Sequence, residues 1–150
     1  MHSIFNPADV DVLIARINKL NVTTTPQWGK MAVGQMLAHC NVSYEMVYTD
    51  KHPKPNPVMK FILKKMVKNK VVSETPYKPN NPTAPAFIIK DDRDFTAEKG
   101  RLVDHLHKTL QLGESHFDGK ESHSFGPLNA TEWNNMFYKH LDHHLKQFGV

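Results

Sequence analysis

The stretch from Trp133 to Gly149, WNNMFYKHLDHHLKQFG, decides how this chain folds. An α-helix turns about 100° per residue. With His140 set at zero, Trp133 falls at about 20°, Phe137 at about 60°, Phe148 at about 80° and Leu141 at about 100°. That is one apolar arc facing a core, with Asp142 at about 200° pointing away from it. His144 falls inside the arc at about 40°, His140 at its edge, and His143 well outside it at about −60°. Upstream, Asn129 with Glu132 three residues later is a capping-box start, and Gly149 ends the helix.

Working outward, three more long helices are expected. Asn6 can cap and Pro7 suits the first helical position of a helix over 7–20, with Val10, Leu13, Ile14, Ile17 and Leu20 at helical spacing. A second runs from near residue 30 to near 49, with Val33, Met36, Leu37, Cys40, Tyr44 and Val47 apolar. A third covers 96–112, burying Leu102, Val103, Leu106 and Leu110 and stopping at Gly113. Between the second and third, prolines at 53, 55 and 57 forbid regular structure, and a shorter helix follows over 58–70 with Phe61, Ile62 and Met66 on one side. Pro76, Pro79, Pro82 and Pro85 then make a long extended crossing, and 114–128 reads as a loop. The pattern predicts one all-α domain over residues 1–150, a four-helix bundle with a proline-rich connection and a short extra helix between helices 2 and 3.

Composition narrows the function. The 150 residues are 39% hydrophobic and 23% charged, the balance of a water-soluble domain rather than a disordered or membrane-embedded chain. No run approaches the ~18 apolar residues of a spanning helix. The N-terminus lacks the basic and apolar segments of a secretory leader, so a cytoplasmic location and no membrane partner are expected. Cys40 is the one cysteine, which excludes an internal disulfide and any CxxC motif; it reads as a small buried residue rather than a ligand or nucleophile. The unusual figure is ten histidines.

Residues four apart on a helix stand one above the other, so His140 and His144 can reach one cation. An HxxxH pair is common on solvated faces, but burying two imidazoles together leaves nitrogens that coordination would satisfy. A third ligand must come from another helix, and His39 is the only histidine in the second. Its neighbours on that side are Ala32, Met36, Ser43 and Met46, which suit a cavity wall and an ordinary helix boundary equally. Zinc is the default for imidazole ligands, and nickel fits as well. His2, His52 and His116 are terminal or in loops, His105 and His107 cannot share a face, and nothing requires His123 at a site. Nothing in the pattern supplies a general base, though Glu45 and Glu132 lie on the ligand-bearing helices.

Lys60, Lys64, Lys65, Lys68 and Lys70 form a competing cluster. They suit an anionic partner, but the commoner arrangement is a solvated face whose lysine stems cover apolar surface. With no zinc finger, RNP-like aromatic motif or glycine-rich phosphate loop, no nucleic-acid partner is expected.

The order of features resembles the DinB-like (YfiT-like) superfamily of metal-dependent enzymes. More closely it resembles a branch of unknown function marked by WGxM…QMLxH and FGxL…EW…KHLDHHLxQFG. These motifs read here Trp28-Gly29-Lys30-Met31, Gln35-Met36-Leu37-Ala38-His39, Phe125-Gly126-Pro127-Leu128, Glu132-Trp133 and Lys139 through Gly149. The resemblance implies an antiparallel four-helix bundle holding a divalent metal, zinc or nickel, on His39, His140 and His144. It implies a metal-dependent transferase or hydrolase acting on a small molecule, with a low-molecular-weight thiol as partner, and a homodimer. The alternative is a non-catalytic metal-binding helical scaffold or binding protein.

Overall fold

A computed structural model describes residues 2–150. The chain is mainly helical, with seven α-helices among the described residues: α1 Pro7–Asn18, α2 Val33–Tyr48, α3 Pro57–Met66, α4 Lys68–Val72, α5 Phe95–Leu112, α6 Glu114–Phe117 and α7 Ala130–Gln147. A two-residue hairpin, β1 Glu121–Ser122 and β2 Gly126–Pro127, pairs antiparallel before α7. Helices α1, α2, α5 and α7 pack on one another in a manner consistent with a bundle.

Local chemistry sets the helix ends. The Asn6 side chain accepts the Ala8 and Asp9 amides. Asp94 accepts from Ala97, and the Asn129 and Glu132 side chains accept each other's backbone amides. Each cap satisfies amides that the helix's own ladder leaves open. Gly113 and Gly149 take positive φ at the exits of α5 and α7, where a Cβ would be strained. Between the helices Leu13, Ile17, Met36, Leu37, Leu102, Leu106, Trp133, Phe137, Leu141 and Leu145 are buried in one apolar cluster. Phe137 of α7 stacks on Tyr44 of α2 at 4.7 Å, and Tyr44 on His105 of α5 at 5.2 Å.

Several expectations are corrected. The second helix starts at Val33, not near residue 30, because Gly29 adopts positive φ and Ala32 is extended. The helix expected over 58–70 is two, since Val67 departs from the α3 path and the chain turns so that Val72 buries beside α7. There Asn135 Nδ2 donates to the Val72 carbonyl at 2.9 Å, and Lys139 Nζ to the carbonyls of Lys70 (2.9 Å) and Ser73 (2.5 Å). The loop expected over 114–128 contains α6 and the hairpin, and the proline-rich crossing contains a 3-10 turn at Pro85–Phe87. Among the described residues no helix is long and apolar enough to cross a membrane.

The seam between α2 and α5 is polar as well as apolar. Glu45 is buried and accepts from Lys51 Nζ at 3.1 Å, His52 Nε2 at 2.7 Å and Arg101 Nη2. Arg101 also reaches Glu98 at 2.7 Å, whose carboxylate accepts Asn41 Nδ2 at 2.9 Å, and Asn41 Oδ1 accepts His105 Nδ1 at 2.9 Å. Burial by itself raises the Glu45 carboxyl, but the His52, Arg101 and Lys51 hydrogen bonds outweigh it and hold it down at about 2.

Two outcomes follow from this packing. The folded pKa of Glu45 lies below its ordinary 4.5, so its stabilisation is present above that value and is lost as pH falls toward 2. Solvent screens the exposed Lys51 and Arg101 ends, so urea unfolding of wild type is expected to lose about 1–3 kcal/mol from this group over that window, and Glu45→Gln to show a flatter acid limb. Gly34 sits where an added Cβ would stand 2.4 Å from the Arg93 carbonyl oxygen. Gly34→Ala, worth up to about 1 kcal/mol of stabilisation in an open helix, should instead destabilise by about 1–3 kcal/mol, read as a lower Tm.

Candidate metal centre

Three histidines from two helices converge. His39 lies mid-way along α2, and His140 and His144 lie one turn apart on α7. One nitrogen from each falls within 4.8 Å of the other two, a grouping able to hold a metal ion. His39 and His144 are buried and His140 is half-buried.

Hydrogen bonds behind the rings fix which nitrogens face inward. His39 Nδ1 donates to the Phe87 carbonyl at 2.8 Å. His144 Nδ1 donates to Gln147 Oε1 at 2.8 Å, and Gln147 is itself oriented because its Nε2 donates to the Trp28 carbonyl at 2.7 Å. His140 Nδ1 meets Ser43 Oγ at 3.0 Å. Each ring thus presents Nε2 to the shared centre, and Nε2 of His39 and His140 approach to 2.9 Å. A carbonyl oxygen only accepts, so the protons of His39 and His144 sit on Nδ1 and their Nε2 atoms are bare lone pairs. At most one proton, on His140, can lie among three nitrogens, an arrangement that a cation completes.

The electrostatics agree. Burial lowers the pKa of all three imidazoles, that of His144 to about 3 and that of His140 well below the ordinary value, where the neighbouring histidines add to the effect. The rings are therefore neutral at pH 7, the form that ligates. Phe87 stands edge-on to both His39 (5.3 Å) and His140 (5.6 Å), so the proline-rich crossing supplies one carbonyl clamp and one aromatic wall. His143 packs against Trp28, Tyr77 and His144 instead of joining the centre. A cavity of about 420 Å³ beside it is lined by Trp28, Tyr77, Tyr138, Lys139 and His143 and by none of the three clustered histidines.

The other residues weighed from sequence lie elsewhere. Glu45 is committed to Lys51, His52 and Arg101, and Glu132 to its cap and to Lys68, so neither carboxylate joins the cluster. Cys40 is buried, its thiol pKa is pushed up by that burial, and it lies 3.8 Å from the Met36 sulfur. His123 contacts Ser124 and the His52 carbonyl. Sequence reasoning placed Ser43 on His39's side of the helix but gave it no role, and missed Gln147 and the Phe87 carbonyl as partners of Nδ1. Ser43 and Gln147 were detectable, at i+4 from His39 and i+3 from His144; the Phe87 carbonyl carries no sequence signal.

A mainly helical protein with a three-histidine cluster able to hold a metal is the class that fold and site define. Residues 5–149 match the model of the family described as "Protein of unknown function (DUF1569)", and the chain belongs to that family. No curated protein and no solved structure matches the chain.

Removing the outer partners tests the clamp. Ser43→Ala and Gln147→Ala should each weaken divalent-metal affinity by about 10–100-fold, measured by competition against a chromophoric chelator, with helical content unchanged.

Proposed function

We propose that the protein is a divalent-metal-dependent enzyme built as one DinB-like antiparallel four-helix-bundle domain over 1–150, with His39, His140 and His144 holding zinc or nickel. The observation that carries this reading is the convergence of three Nε2 atoms whose rings are each held from behind at Nδ1. His39, His140 and His144 would hold the ion as neutral imidazoles, and a +2 ion so held would supply Lewis acidity, able to acidify a water or thiol and polarise a substrate oxygen. The substrate class is a small molecule, with a low-molecular-weight thiol as nucleophile in a transferase or water in a hydrolase.

The chain's own part in this chemistry is positional. Phe87, Ser43 and Gln147 orient the rings, and burial keeps the imidazoles neutral. The buried, high-pKa thiol of Cys40 is unsuited to act as nucleophile, so the attacking group comes from outside. Because Glu45 and Glu132 are both committed to other partners, a second reading is also supported: the same centre in a metal-binding scaffold without turnover.

Protein purified without chelator should carry close to one zinc or nickel per chain by elemental analysis, and His140→Ala should lose it. The loaded wild type is then assayed with cysteine or glutathione plus an alkylating electrophile, and with simple esters. Turnover that disappears in His39→Ala supports the enzyme. Metal that raises Tm without turnover supports the scaffold, and a folded wild type that takes up neither metal contradicts both.

A further inference from the structure

Residues 51–73 contain seven lysines and no Asp or Glu. Helix α3 lies inside this stretch and buries none of its residues, although its apolar side chains are segregated by helical spacing. Its half-buried side is Lys60, Leu63 and the following Val67, and Lys60 pairs with Glu121 of β1. The opposite side carries Val58, Phe61, Ile62 and Lys65, with Met59 and Met66 along one edge. Exposure reaches 70% at Val58, 63% at Phe61 and 71% at Met66, so this surface stays largely open even though Lys65 Nζ stands over the Phe61 ring at 5.8 Å. Lys54, Lys64, Lys65 and Lys70 are exposed and pair with no carboxylate among the described residues. The next helix is anchored, since α4 is bonded to α7 through Asn135 and Lys139. The α3 face is thus presented outward on a fixed base.

We propose that this face docks on an anionic lipid bilayer, α3 lying in the plane of the interface with Val58, Phe61 and Ile62 inserted and the lysines against headgroup phosphates. Charge complementarity selects this occupant. In a twofold dimer the same patch would face itself and bring like charges together. A nucleic acid would satisfy the lysines but leave the aliphatic, methionine and phenylalanine side chains without an apolar partner. A bilayer interface takes both halves of the pattern, and docking on it needs neither a spanning stretch nor a secretory leader. The inference does not depend on the metal centre, so His39→Ala should bind vesicles as wild type does.

The test is flotation of the full chain with phosphatidylcholine vesicles and with vesicles containing one part phosphatidylglycerol to three parts phosphatidylcholine. Binding is expected to the anionic vesicles alone and to fall as salt is raised. Lys64→Glu with Lys65→Glu should reduce partitioning roughly tenfold or more. Phe61→Ser with Ile62→Ser should do the same at unchanged Tm, since both side chains are exposed. No binding to anionic vesicles at low salt overturns the proposal, and so does equal binding to both compositions. It is also overturned by a dimer, seen in light scattering, that the Phe61/Ile62 variant dissociates, or by DNA or RNA binding that this variant retains.

Discussion

The candidate metal centre is organised around the 2.9 Å approach of two imidazole nitrogens, Nε2 of His39 and Nε2 of His140, with the His144 ring beside them. Buried imidazoles do not gather without a reason. Each loses hydration, and bare lone pairs repel unless a proton or a cation lies between them. The hydrogen bonds from behind hold the approach in place. A backbone carbonyl, a serine hydroxyl and a glutamine amide each occupy one Nδ1, so no ring can turn to relieve the crowding without breaking a hydrogen bond that is at least partly buried.

Helix α7 does the rest of the organising. Its Trp133, Phe137, Leu141 and Leu145 line the core, while His140 and His144 emerge at the edge of the same face. Its other side receives α4 through Asn135 and Lys139, and Gln147 in its last turn reaches back to Trp28. One helix therefore couples the core to the centre, and a shift in its register would disturb both. The core aromatic stack reaching Tyr44 and the polar seam around Glu45 hold α2 in place, which sets where His39 can stand.

Much of this was legible because it is local. Caps at Asn6 and Asn129 and the glycine after α5 place helix ends within a few residues, and 3.6-residue periodicity puts His140 and His144 on one side. His39 was open on the helical wheel for a physical reason: its partners are 101 and 105 positions away in sequence, and periodicity says nothing about distant pairing. A two-residue strand and a four-residue helix are too short to show a period, so the hairpin and α6 went unread. The amphipathic pattern of α3 told which residues share a face but not whether anything covers it, and the structure leaves it uncovered.

The most direct test of the three-histidine centre is X-ray absorption on protein loaded with one equivalent of zinc. The account predicts three imidazoles per ion, with nitrogens at about 2.0–2.1 Å and the remaining position filled by water oxygen, which adds no histidine ring signal. A spectrum fitted by one imidazole or none would contradict it.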